Sequence, residues 1–364
     1  MRILFFTESG LGVSSLIVDQ ICELKKQNIT TFGVASTLEQ EEGLNRRMER
    51  EGIELLRLEG LESHRNFWKH LDMLIKFSKY HAIEVIHVQT NWELMLSFAA
   101  KLALLFQSNP KIVYTVHAFR NNSPYKKYIA LCIINVLLFL FANRVICTCE
   151  YTKKLFRLVG YKTKLLPLGI DNRFFSEEHT FAEGAGLSLM FPAQFRYGKQ
   201  QDMIIKSFAW YIQKCQDRLS QLILPGEGPL RKEMEKLAKE LGLEGRVLFP
   251  GLCKKDEVKG LFGKVNIAVI SSNSETFGQC IVEPYVMGKA ILSTPVGIAP
   301  ELIKDGVNGY IFHNAEELCN ILCSLSKNES LVKKMGVTNF DNRSRFAWQT
   351  ITKDYLQDLE QMLF

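Results

Sequence analysis

Short apolar runs alternate with longer amphipathic stretches along the whole chain. The runs Ile3–Phe6, Thr31–Ala35, Ile53–Leu58, Val85–Val88, Ile112–Val116, Val145–Cys147 and Lys164–Leu166 are rich in β-branched and aromatic residues and read as strands. Between them, stretches such as Gln20–Lys26, Trp68–Tyr80 and Leu94–Phe106 carry the apolar spacing of helices. A second series of strands follows at Leu187–Phe191, Gln221–Leu224, Val247–Phe249, Ile267–Ile270 and Ala290–Ser293. Alternation of this kind predicts an α/β protein with two doubly wound domains, each a parallel sheet covered on both faces. Ligand crevices in such domains open at the carboxyl ends of the strands. The predicted division is 1–168 and 169–345, joined through Pro167-Leu168-Gly169-Ile170-Asp171. A polar stretch at Ser176–Gly186 follows that boundary, and a helix-like segment closes the chain at 346–364.

Composition changes this picture only locally. Nine cysteines are scattered, with no zinc-ribbon or redox spacing, and read as free thiols in a reducing cytoplasm. The first residues read directly as a strand and not as a secretion signal. The net charge is +6, yet from Lys111 to Leu168 ten lysines and arginines face the single acid Glu150. Such a patch fits a membrane surface, a phosphorylated ligand or a merely solvated basic face. No nucleic-acid motif accompanies it. Tyr128–Ala142 is almost wholly apolar but shorter than the ~20 residues a bilayer requires. It reads as a buried helix, or as one lying against a membrane with Lys126 and Lys127 at its edge.

The chemistry concentrates in SETFGQCIVEPYVMGKAIL, residues 274–292. Thr276 and Gln279 have capping-box spacing, which predicts an N-cap at Thr276 with Phe277, Gly278 and Gln279 as the first helical turn. The unpaired N–H groups and positive pole of that helix end would face an anion such as a diphosphate. Gly278 lets a ligand approach the backbone. Glu275 then precedes the helix, and Glu283 lies within it as a carboxylate suited to accept two hydroxyl protons.

This spacing, Glu275–x7–Glu283 with Thr-Phe-Gly after the first acid and Gly288-Lys289 closing the helix, resembles glycosyltransferase family 4. Leu224–Leu230, Val247–Gly251, Pro295–Glu301 and Asp305–Gly309 resemble further motifs of the family in the same order. The resemblance implies the GT-B architecture, two facing Rossmann-like domains, with the C-terminal helix crossing back onto the first. It implies a retaining transferase whose donor is a nucleotide-diphosphate sugar, UDP- or GDP-linked. No Asp-x-Asp pair follows a strand in a way that would hold a divalent metal under a diphosphate, and no His/Cys cluster appears, so neither metal nor cofactor is expected. Glu275 would sit beside the donor sugar, with Thr276 and the N–H groups of Phe277 and Gly278 near sugar and diphosphate. Glu283 would hold the ribose, and Gly226 would line the donor site. Lys199 matches the family's diphosphate-binding lysine. The family's arginine falls at Gln194, and Arg196 would serve instead. In the first domain His117 would hydrogen-bond a sugar hydroxyl, and Gly12 would belong to a glycine loop at Ser9–Ser14, where Val13 replaces a usual glycine. His87 and Gln89 end a neighbouring strand and fit either core or site.

The acceptor implied by the basic patch and the apolar helix is a lipid-linked oligosaccharide of a cell-surface polysaccharide, such as lipopolysaccharide, O-antigen or capsule. The protein would then be cytoplasmic and peripheral on the inner face of the membrane. A non-catalytic nucleotide-sugar scaffold or an epimerase of the same fold are the alternatives.

Overall fold

The computed structural model describes residues 1–6, 11–36, 42–60, 66–117, 124–175, 178–182 and 186–363, without the side chains of 11–13, 36 and 124–130. Arg120 and parts of the Ser9–Ser14 and Ser176–Gly186 segments lie outside the described residues. So do the side chains of Lys126 and Lys127. The chain divides into two compact units, Met1–Gly169 with Trp348–Phe364, and Ile170–Ala347.

In the first unit seven strands alternate with helices: β1 (Arg2–Phe6), α1 (Leu11–Lys26), β2 (Thr30–Ser36), α2 (Glu42–Arg50), β3 (Glu54–Leu58), α3 (Phe67–Tyr80), β4 (Val85–Val88), α4 (Asn91–Ala103), β5 (Lys111–Thr115), α5 (Pro124–Phe141), β6 (Arg144–Cys147), α6 (Glu150–Leu155) and β7 (Thr163–Leu165). All pair in parallel, in the order β3-β2-β1-β4-β5-β6-β7. Residues along each strand alternate between two cores, as the period of two requires. Leu4, Phe6, Ile86, Val88, Ile112 and Tyr114 enter one; Ile3, Phe5, Val85, Val113 and Ile146 enter the other.

The second unit continues with β8 (Ser188–Met190), α7 (Gln201–Cys215), β9 (Gln221–Ile223), α8 (Arg231–Glu240), β10 (Val247–Leu248), α9 (Lys255–Phe262), β11 (Ile267–Ile270), α10 (Gln279–Val286), β12 (Ala290–Ser293), α11 (Ala299–Leu302), β13 (Gly309–Ile311), α12 (Ala315–Leu325) and α13 (Glu329–Asp341). Its parallel order is β10-β9-β8-β11-β12-β13. The strand β13 is an addition to the sequence reading, which named no strand after Ala290–Ser293. Three residues carry no periodicity, and Gly309 is needed because a Cβ there would lie 2.0 Å from the Ile291 carbonyl oxygen across the ladder.

The last helix, α14 (Trp348–Leu363), returns to the first unit. Its Trp348, Ile351, Tyr355 and Leu359 cover the second core beside α1. Gly169 makes room, since a Cβ at that position would fall 2.3 Å from the Trp348 ring. Arg144 reaches Asp358 of this helix at 3.0 Å, and Lys164 lies 4.0 Å from the same carboxylate. Lys162 donates to the carbonyls of Phe139 and Ala142, at the end of α5. Three members of the basic patch are therefore engaged in holding the fold.

Helix α5 is buried along one side and exposed along the other. Ile134, Leu138 and Ala142 are buried, and Asn135 donates to the Leu131 and Leu155 carbonyls at 2.9 and 3.1 Å. Ile133, Val136, Phe139 and Leu140 are exposed. Among the described residues no helix is long and apolar enough to cross a membrane.

His87 belongs to the core. It is buried between Tyr355 Oη, 2.8 Å from Nδ1, and Thr115 Oγ1, 2.6 Å from Nε2. Burial lowers its pKa to about 3, so the ring is neutral at neutral pH. Tyr355→Phe removes the partner of Nδ1 and leaves a buried polar atom unpaired; we expect a loss of about 1–3 kcal/mol in urea unfolding. Unchanged stability would show that the Tyr355–His87 hydrogen bond plays no part in holding α14.

Candidate active site

The strand order reverses between β8 and β11, so the loops leaving those two strands diverge and open a crevice at the carboxyl edge. The loop after β8 continues the sheet's hydrogen bonding beyond the strands. Phe191 N donates to the Ile223 carbonyl, Ala193 N to Pro225 and Phe195 N to Glu227, at 2.9–3.1 Å. So close an approach needs glycine in the facing loop. At Gly226, φ is +148° and a Cβ would lie 2.1 Å from the Ala193 carbonyl oxygen; Gly228 is similarly placed against Phe195.

The same loop is fastened to the one after β11. Ser271 Oγ donates to the Lys199 and Gln200 carbonyls at 2.7 and 2.9 Å, and Asn273 N donates to the Gly198 carbonyl at 2.9 Å. This brings Lys199 onto Glu275, whose carboxylate accepts from the ammonium. Both side chains are largely buried, 13% and 16% exposed, which separates this pair from the solvated ion pairs of the surface. The Cys280 thiol points at the same carboxylate oxygen from 3.9 Å, and burial raises its pKa well above the thiol range.

The start of α10 differs from the capping-box reading. The N-cap is Gly278, in the left-handed region at φ +95°, and the helix begins at Gln279. A left-handed residue cannot belong to the first helical turn, so Thr276 and Phe277 precede the helix and the spacing of Thr276 with Gln279 forms no box. Phe277 is buried, and its carbonyl accepts from Ile298 N at 2.8 Å.

Glu283 lies one turn into α10 on the wall of a cavity of about 230 Å³, shared with Gly226, Phe174, Leu252, Cys253 and Lys255. Burial pushes its carboxyl up to about 7, against the opposing charges of Lys255 and Arg173 and with that of Asp171. Asp171 accepts from Arg173 at 2.7 Å and pairs with Lys255 at 3.2 Å. Burial alone would raise the Asp171 pKa, but the hydrogen bonds from Arg173 and the Lys255 charge hold it far below the usual carboxylate range. Sequence reasoning missed this group. Asp171 was read as part of the boundary, and Lys255 stands in a run of charged residues with no distinguishing spacing.

Arg196 is exposed and lines a different, larger groove of about 670 Å³, with Tyr197, Asp202, Lys206, Glu233 and Asn273. In the first unit, His117 follows β5 and its Nε2 lies 2.6 Å from Gln89 Oε1. Burial lowers its pKa to about 4, and its Nδ1 has no partner among the described residues. Gln89 N and Thr90 N in turn donate to Glu93, at 2.7 and 3.0 Å. Gly12 stands in the first turn of α1, which starts at Leu11, and not in a loop. Among the described residues no group of three His, Cys, Asp or Glu side chains is placed to hold a metal ion.

Comparison with known proteins covers nearly the whole chain. The family model of Glycosyltransferase Family 4 matches residues 12–174, and that of Glycosyl transferases group 1 matches 172–339. The N-acetyl-alpha-D-glucosaminyl L-malate synthase of Bacillus anthracis is 30% identical over 146 residues, 40% of this chain and 37% of the relative. A D-inositol 3-phosphate glycosyltransferase of Streptomyces bingchenggensis is 24% identical over 168 residues, 44% of this chain and 37% of the relative. The matched segments thus span little more than a third of these relatives. The solved structure of Anabaena Alr3699/HepE in complex with UDP shares the fold across 99% of this chain and 100% of its own, with a TM-score of 0.78 and 20% identity.

The close approach at Gly226 is directly testable. Gly226→Ala places a methyl against the Ala193 carbonyl in a backbone conformation that alanine avoids, so stability should fall by about 2 kcal/mol or more in thermal unfolding. A variant as stable as the parent would mean the two loops separate at no cost.

Proposed function

The chain belongs to glycosyltransferase family 4, and from that premise we propose that it transfers a sugar, with retention of configuration, from a UDP- or GDP-linked donor to a hydroxyl of a lipid-linked oligosaccharide. The observation that carries this reading is the largely buried Lys199–Glu275 pair at the crevice of a unit whose cavity also holds Glu283. In its ionised form Glu283 accepts both ribose hydroxyls. The donor diphosphate then competes with Glu275 for the Lys199 ammonium and leaves Glu275 beside the sugar.

Negative charge grows on the departing diphosphate in the transition state, so a fixed cation there stabilises it more than the ground state. The backbone of Thr276, Phe277 and Gly278 lines the sugar side, while Arg196 faces the separate groove with Tyr197, Asp202 and Glu233 and not the diphosphate. His117 of the first unit is neutral at neutral pH and does not act as a nucleophile. With Lys199 supplying the positive charge, the reaction needs no metal and proceeds in the presence of a chelator. UDP is the first nucleotide to test because the solved Anabaena relative was crystallised with it.

A membrane-borne acceptor, at the cytoplasmic face of the membrane, is supported by the exposed side of α5. Ile133, Val136, Phe139 and Leu140 continue into Leu158 and Tyr161, which are 67% and 68% exposed. Phe139 packs edge-on to Tyr161, the Lys162 ammonium lies 5.7 and 5.6 Å from their ring centroids, and the exposed Lys153, Lys154 and Arg157 stand just before Leu158 in the chain. An apolar surface rimmed by cations fits the interface of an anionic bilayer.

Thermal unfolding with UDP and GDP tests the donor site. One nucleotide at 100 times its dissociation constant should stabilise by about 2.7 kcal/mol, and Glu283→Ala should abolish the shift. In transfer assays Lys199→Ala should lower kcat by about 10²–10³-fold while the nucleotide still binds, and Glu275→Gln should be inactive. No shift with either nucleotide, or full activity without Glu275, would overturn the reading. Phosphatidylglycerol vesicles should sediment the protein, phosphatidylcholine vesicles should not, and Ile133→Glu with Leu140→Glu should release it. Equal sedimentation with both lipids would refute the anionic surface.

A further inference from the structure

The cavity beside Glu283 holds a charge that the reaction above does not use. Among the described residues that line it, Lys255 is the one cation. This lysine opens α9, and its ammonium lies 3.2 Å from Asp171 Oδ2 with the side chain 32% exposed. Asp171 is itself fixed. It caps the 3-10 turn Asn172–Phe174, accepts from Arg173 N at 3.0 Å and takes the Arg173 guanidinium on both oxygens. Arg173 reaches on to Asp256 of α9 at 3.4 Å, so turn and helix are locked together.

The charged groups that bear on Glu283 are therefore Lys255 from α9 and Asp171 and Arg173 from the turn. Glu227 and Cys253 are the other titratable side chains of the cavity wall, and Cys280 lies on α10 itself.

We propose that Lys255, tethered by Asp171, is the positioning residue that sets how strongly Glu283 grips the donor's ribose hydroxyls. The proposal rests on Glu283 being the ribose-binding carboxylate. Both hydroxyls are donors, and the two carboxyl oxygens accept them as an equivalent, charge-strengthened pair when the group is ionised, whereas protonation turns one oxygen into a donor and weakens the grip. Burial works against that state, bringing Glu283 to about 7, and the Lys255 charge is the largest influence opposing it. The tether matters for a separate reason. A lysine swung directly onto Glu283 would occupy the oxygens that the hydroxyls require. Holding the ammonium on Asp171 keeps its field in the cavity and leaves those oxygens open.

Calorimetric titration of the full chain with UDP and with GDP, from about pH 6 to about pH 8.5, tests the assignment. The parent should bind one of them with an affinity that falls on the acid side of pH 7, as Glu283 takes up its proton. Lys255→Met should move that acid limb upward by about one pH unit, so that affinity near pH 7 drops up to about tenfold while the gap closes at the alkaline end. Lys255→Arg should restore the parent profile. A Lys255→Met loss that is the same at every pH would mark a packing role and overturn the proposal, as would an unshifted limb. If the parent binds neither nucleotide at any pH, the donor reading of Glu283 fails and Lys255 fails with it. If Glu283→Ala removes binding while Lys255→Met leaves the profile unchanged, the donor reading stands and only the role of Lys255 is refuted.

Discussion

Parallel strands cannot be joined by a tight turn. Each connection must cross one face of the sheet, and the helices it lays down bury strands on both sides. In the first unit this requirement is met by chain from both ends. Helix α1 covers one part of the face that carries Ile3, Phe5, Val85 and Val113, and α14 covers another, some two hundred residues after the first sheet is complete. The same rule dictates where chemistry is possible. With faces buried and lateral spacing fixed, polar side chains gather where loops leave the carboxyl ends, and loops diverge only where the strand order reverses. Lys199 and Glu275 sit on the two loops of that reversal in the second unit.

Divergent loops would not by themselves hold two charges together. The fixing comes from backbone contacts closer than a side chain allows. Gly226 and Gly228 press against the loop after β8, and Gly297, at φ +53°, lies where a Cβ would be 2.2 Å from the Phe277 carbonyl oxygen. Each glycine gives up conformational entropy on folding, and each fastens a loop that carries a site residue to a neighbour. Ser271 completes the arrangement by joining the loops after β8 and β11. The crevice is thus an extension of the sheet and not an appendage to it.

The alternation of apolar runs disclosed the strands because buried parallel strands carry continuous apolar residues, and Val85–Val88, Ile267–Ile270 and Ala290–Ser293 were read to the residue. β13 escaped because a three-residue strand beginning in glycine looks like the turn before it. The start of α1 escaped as well, since Gly12 favours a loop by propensity while the structure keeps it helical. At Thr276 a real capping signal lost to Gly278, whose positive φ ends the turn two residues later. Lys199, Glu275, Gly226 and Glu283 were legible as family spacing. Lys255 and Arg173 were not, because what distinguishes them is a tertiary meeting of α9 with the turn after Asp171, and no local spacing records it.

The cations of the second unit's crevice and cavity share one feature. Lys199 is paired with Glu275 and Lys255 with Asp171 before any ligand arrives. An unpaired ammonium among poorly hydrated loops would repel its surroundings and weaken the fold, whereas a paired one is tolerated at little net gain. That near-balance is useful. Under the proposed reaction, a phosphate oxygen replacing the Glu275 carboxylate on Lys199 would exchange one anion for another, so binding would not have to strip a bare charge of water. In that scheme the displaced carboxylate would be left beside the sugar. The Lys255–Asp171 pair follows the opposite logic, because its partner is pinned by Arg173 and does not leave. Under the proposed reaction the first pair would open and the second stay closed, because Asp171 accepts further bonds from Arg173.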